Sequence, residues 1–143
     1  MQKLLKILKK EIFPISLILI LAFARLIPHP PNFTPIITVA IMSGYLFRNI
    51  YLSFATLIIA MLLADSFIGF YDNIFFVYVA LLFIVYIFYK ISKKINFKNL
   101  FIYGFFGSLV FFLVSNFGVW ALGSHGVYDI PYEKNLKGLM ECY

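Results

Sequence analysis

The chain predicts an all-α fold, a polytopic transmembrane helix bundle with five spans, and three observations predict it. Of 143 residues, 63% are hydrophobic and only 13% are charged, against about half and a quarter in a soluble domain. A domain of this size leaves much of its surface exposed, so one water-soluble core could not hide that much apolar area. The apolar residues gather into five runs with short polar breaks between them. The basic residues cluster at alternate breaks, as loops on one side of a membrane would require.

The first run follows Lys3, Lys6, Lys9 and Lys10 and covers about residues 12–27. Two readings fit it. A basic start, an apolar stretch and the small-residue pattern Ala22-Phe-Ala24 also describe a signal peptide cleaved after Ala24. The run continues through Leu26-Ile27 without a break, which favours a retained helix with Pro14 in its first turn. Next comes Arg25-Leu-Ile-Pro-His-Pro-Pro-Asn-Phe-Thr-Pro35, holding four of the six prolines. Proline fixes φ and biases the preceding residue toward extended geometry, so a stiff non-helical element is expected there.

The second and third runs, about 34–47 and 50–65, flank Arg48-Asn49. One helix through Ile36 to Ala64 would be roughly 43 Å long at 1.5 Å per residue. Arg48 would then sit near its middle, where charge is expensive. A hairpin turning at Arg48-Asn49 avoids both problems. The fourth run, about 74–89, is closed by Lys90, Lys93, Lys94 and Lys98, and the fifth covers 100–122. A polar outer tail, 123–143, carries turn signals at Gly123 and Ile130-Pro131.

With the N-terminus cytoplasmic, five spans put nine of the twelve basic residues inside and five of the six acids outside. This places a multi-pass protein in the inner (cytoplasmic) membrane. The net charge of +6 then reflects insertion and contact with anionic lipid, and no nucleic-acid partner is expected. The single cysteine, Cys142, excludes an intramolecular disulfide. His29, His125, Asp65 and Cys142 have no metal-ligand spacing. No nucleophile elbow, paired-carboxylate motif or phosphate-cradling loop is present, so neither an enzyme, a metal nor a cofactor is expected.

The chemically distinctive residues fall on the outer side in this topology. Arg25, His29, Asn32, Asp65 and Asn116 would supply polar contacts to a small-molecule ligand, and Trp120 and Tyr128 would stack on it. Each has a plainer reading. Asp65 would mark a helix end at the headgroups, its alternative being a charge-assisted partner for Arg25 or a ligand contact in a sheltered outer pocket, and Arg25 would snorkel to the interface. Asn116 would join two helices, and Trp120, Tyr71, Tyr78 and Tyr128 would form an aromatic belt. Ala60 and Ala64, and Gly104, Gly107 and Ser108, offer smooth patches for close helix approach.

Four stretches carry a family resemblance: Arg25–Pro35, Ala64-Asp-Ser-Phe-Ile-Gly-Phe70, Ser115-Asn-Phe-Gly-Val-Trp120 and Gly138-Leu-Met-Glu-Cys-Tyr143. Together they resemble an uncharacterised family of small bacterial integral membrane proteins. That family is similar in architecture to the substrate-binding S components of energy-coupling factor transporters. The resemblance implies six helices, an outward-open pocket for a vitamin-like micronutrient, and pairing with a transmembrane coupling protein and ATPase subunits. The chain departs from the pattern by stopping at Tyr143, before the expected sixth helix, which points to a truncated chain or a broken pocket wall. It also lacks an Ala-xxx-Ala pair on the first helix, which bears on docking of the coupling subunit. The rival expectation is a structural or assembly subunit of a larger membrane complex.

Overall fold

A computed structural model describes residues 9–27, 35–91, 96–123 and 132–143. Helices and their connections account for these residues, with no strand among them. The helices are α1 (Ile12–Phe23), α2 (Ile36–Leu46), α3 (Ile50–Ile68), α4 (Ile74–Ile91), α5 (Phe97–Leu122) and α6 (Leu136–Cys142). Three are long and apolar enough to cross a membrane: α3, α4, and α5 from Phe101 onward. At 1.5 Å per residue they measure about 27 to 33 Å, the thickness of a hydrocarbon core. Two shorter apolar helices, α1 with its terminal turn and α2, complete the bundle.

Pro14 lies in the first turn of α1, where its missing N–H breaks no helical bond. The helix tightens into a 3-10 turn, Ala24–Leu26, which carries Arg25. The second helix has only 11 residues, about 16 Å, yet it packs against α1, α3, α4 and α5. Its buried residues Ile36, Val39, Ala40, Ser43 and Gly44 follow helical spacing. Small residues let its neighbours come close. A Cβ on Gly44 would lie 2.5 Å from the Val85 carbonyl of α4, and one on Gly107 would lie 3.0 Å from Ile41 of α2.

The hairpin between α2 and α3 turns at Arg48-Asn49. Asn49 caps α3 by accepting from the Tyr51 and Leu52 amides at 2.9 and 3.4 Å. Below the turn, Ser43 and Ser53 are fully buried and exchange hydrogen bonds. The Ser43 hydroxyl donates to the Ser53 carbonyl at 3.1 Å, and the Ser53 hydroxyl to the Ser43 carbonyl at 2.8 Å. Tyr89 of α4 donates to the Arg48 carbonyl at 3.0 Å and ties the hairpin down.

Two features differ from the expectation. The third helix runs to Ile68 and ends at Gly69, whose φ of 104° a residue with a Cβ rarely adopts. Asp65 therefore lies inside the last turn and does not end the helix. The tail also contains α6, capped by Asn135 accepting from the Gly138 amide at 2.8 Å. This helix folds back along α5, with Trp120 Nε1 donating to the Glu133 carbonyl at 3.0 Å and Lys134 to the Ala121 carbonyl at 3.0 Å. Tyr143 donates to the Leu113 carbonyl at its far end.

Many large apolar side chains lie on the surface. Phe13, Phe75, Phe83, Phe101, Phe105 and Phe106 are all half or more exposed. Soluble monomers rarely expose contiguous apolar area of this extent, whereas such a surface suits lipid tails.

Candidate functional site

The end of α1, the start of α2, the end of α3, the start of α4 and the end of α5 meet at one end of the bundle. Alternating helix direction brings them there, and the polar residues of those termini meet with them. Arg25 and Asp65 are the centre. Arg25 Nη1 donates to Asp65 Oδ1 at 2.8 Å and to the Met61 sulfur at 3.5 Å. Tyr78 donates to the other carboxylate oxygen at 2.8 Å. Asp65 is 0% exposed and the Arg25 side chain 9%. Ionised groups persist at such burial when they are paired and their remaining valences are bonded.

The pairing leaves one gap. Arg25 Nε is buried and has no hydrogen-bond partner among the described residues. Arg25 also lines a cavity of about 550 Å³, together with Tyr71, Val77, Phe111, Ser115 and Asn116. Ile36, Ile37, Ser108 and Phe112 complete its wall. Burial pushes the Tyr71 phenol above its ordinary pKa, and the negative charge of Asp65 adds to this while Arg25 opposes it. Tyr71 therefore keeps its proton at neutral pH. Asn116 donates to the Phe112 carbonyl of its own helix at 2.9 Å. The Ser115 hydroxyl donates to the Phe111 carbonyl at 2.7 Å.

Of the residues singled out in the sequence, Arg25 and Asn116 share the cavity wall. Asp65 lies behind Arg25 and holds it. Trp120 points its indole N–H at the tail, and its ring lies tilted at 45° to that of Phe117. His29, Asn32 and Tyr128 lie outside the described residues.

Interhelical bonding at this end falls to Asn73, which sequence reasoning passed over. It donates from α4's entrance to the Ser115 carbonyl at 2.9 Å, and its Oδ1 rests against Gly118. Tyr78, read as a belt aromatic, serves Asp65. A buried carboxylate needs more than one donor, and that requirement was the available signal for it.

The chain matches, over residues 6–143, the model of a family described as "Family of unknown function (DUF6580)". The chain belongs to that family. The match takes in Arg25, Asp65, Tyr78 and Asn116, so the whole polar end lies within the DUF6580 region. No curated protein and no solved structure matches the chain.

A second hollow of about 340 Å³ lies at the opposite end between α4 and α5. Ile84, Ile87, Phe88, Ile102, Tyr103 and Val110 are among its lining residues. Its wall presents no polar area, and it offers no chemistry beyond apolar contact.

Proposed function

We propose that this DUF6580 protein is a small-molecule-binding membrane subunit for uptake, non-enzymatic by itself, with its polar cavity facing outward. In this reading α1 to α5 are all spans, the N-terminus is cytoplasmic and the host membrane is the inner one. The ligand is a micronutrient of the size that a cavity of a few hundred Å³ admits. Transport follows the S-component resemblance, with a coupling protein and ATPases as partners.

One observation carries the proposal. Arg25 and Asn116, from helices at opposite ends of the chain, meet on one cavity of about 550 Å³ with apolar and polar walls. Binding sites combine those two kinds of surface. The rival reading, an assembly subunit, relied on small-residue patches for partner contact. Ala60 and Ala64 are fully buried inside the bundle, and Gly107 lies under α2, so those patches serve internal packing. Gly104 has open space beside it, and Ser108 is exposed and lines the cavity.

The test is to purify the protein in mild detergent from its native host and identify bound small molecules and co-purifying proteins. A stoichiometric ligand lost on Asn116→Ala is expected. A ligand-free protein held by partners unrelated to transport would sink the proposal. Orientation is tested in a Cys142→Ser background with single cysteines at Arg48 and Asp72. An impermeant maleimide should label Asp72→Cys in intact cells and Arg48→Cys only in opened ones.

A further inference from the structure

A lone arginine on a cavity wall suggests an anionic ligand. Here the guanidinium is already neutralised. Asp65 sits 2.8 Å from Nη1 and is wholly excluded from solvent. Among the described residues lining the cavity, Arg25 is the only one with a charged side chain. An anion entering would leave water, at a cost of several kcal/mol for an unpaired ion. It would meet a field that Asp65 largely cancels.

We propose that the cavity beside Arg25 takes an uncharged molecule with an amide-like donor and acceptor pair, of the carboxamide, lactam or imide class, rather than an anion. This inference rests on the reading of the cavity as a binding site.

Three features of the wall carry it. Arg25 offers five N–H donors in a planar fork. Asp65 and Met61 occupy Nη1 and Tyr71 also bonds to the guanidinium, while Nε has no partner among the described residues. A carbonyl oxygen meeting the guanidinium where Arg25 lines the cavity would add no charge to a group that Asp65 already neutralises. Asn116 uses one N–H on the Phe112 carbonyl, which leaves a second N–H and Oδ1. That remaining pair complements another amide, donor to acceptor and acceptor to donor. Ser115 has committed its hydroxyl proton to the Phe111 carbonyl, so it presents an acceptor only. The wall thus offers both donors and acceptors, and a carboxylate could use only the donors. Phe111, Phe112, Ile36 and Ile37 supply apolar surface for the body of the ligand.

The test uses matched probe pairs that keep one ring and change only the charge of the polar group. They are nicotinamide and nicotinate, benzamide and benzoate, and indole-3-acetamide and indole-3-acetate. Binding to the full chain in lipid nanodiscs is followed at neutral pH by saturation-transfer NMR and equilibrium dialysis. The amide member of at least one pair should bind at least about tenfold tighter, because a site built to bond both kinds of group discriminates on unmet partners. Asn116→Ala should reduce that preference, with unfolding temperature kept as a check on the fold.

The outcomes separate the two levels. Carboxylates binding as well as or better than their amides would overturn the charge inference and leave the binding site standing. No member binding, or binding indifferent to Asn116→Ala and to the paired change Arg25→Met with Asp65→Leu, would overturn both.

Discussion

The two ends of the bundle bury polar groups in opposite ways. At the hairpin end, Ser43 and Ser53 give each other both a donor and an acceptor, and neither touches solvent. Their bonds are saturated, and the pair fixes the register of α2 on α3. At the other end, Arg25, Asp65 and Tyr78 also pair, but Arg25 Nε has no partner among the described residues. Buried polar groups that saturate one another describe architecture. A charged group with a donor unmet among the described residues is the feature on which the binding proposal draws.

The largest effect should come from splitting the charged pair. Asp65→Ala would strand Arg25 in an apolar setting and cost about 3–5 kcal/mol, the penalty for an uncompensated buried ion. Thermal unfolding in detergent should show the largest drop of any single change considered. Arg25→Met combined with Asp65→Leu should recover much of it, since hydrophobic replacement of a buried pair is often nearly neutral. The residual loss would fall on Tyr78, left without its acceptor. If the double variant were no more stable than Asp65→Ala, the pair would not be the unit described.

Next in size is the packing contrast between Gly44 and Gly104. Gly44→Ala pushes a methyl against the Val85 carbonyl, where the backbone must move, and overpacking of this kind costs about 1–3 kcal/mol. Gly104→Ala meets open space and should stabilise α5 by up to about 1 kcal/mol through helix propensity. Opposite signs in the same unfolding assay are the expected result. Equal signs would remove α2 from the centre of the bundle.

The sequence made some of this legible for physical reasons. Charges inside apolar runs must find partners, so Arg25 and Asp65 could be read as a pair before any coordinates. Arg48 between two apolar runs could not lie mid-membrane, which located the hairpin. Other features depend on register in three dimensions. The central place of α2 runs against its shortness, since it follows from small buried residues, with Gly44 packed on α4 and Ser43 bonded to Ser53 of α3. The tail helix α6 has seven residues, too few to form by propensity alone. Trp120, Lys134 and Tyr143 hold it, and their partners are backbone carbonyls that no pattern announces. Asn73 was equally silent, because Gly118 becomes its neighbour only after α4 and α5 pack.

A smaller loss should follow Ser43→Ala at the saturated end. One hydroxyl disappears, and Ser53 keeps its bond to the Ser43 carbonyl, so about 1 kcal/mol is expected. Replacing both serines by alanine should cost less than the sum of the two singles, because the two hydroxyls touch and each single variant already removes their contact. Chemical denaturation with a double-mutant cycle checks this, and strict additivity would show that the two serines do not act as a pair.

The smallest effect belongs to the pH response of Tyr71 at the cavity mouth. Burial and the nearby Asp65 charge raise its phenol above the ordinary value of 10.0, with Arg25 working the other way. The folded protein therefore holds this proton more tightly than the unfolded chain. The sign follows directly. The stabilisation is complete below pH 10.0 and is lost as pH rises toward and through the higher folded value. Tyr71→Phe has no proton to lose, so its unfolding temperature should fall less steeply than the wild type's across that alkaline range. Profiles that superimpose would mean that the phenol feels neither burial nor Asp65, and Tyr71 would no longer belong to the cavity wall that distinguishes this end from the other.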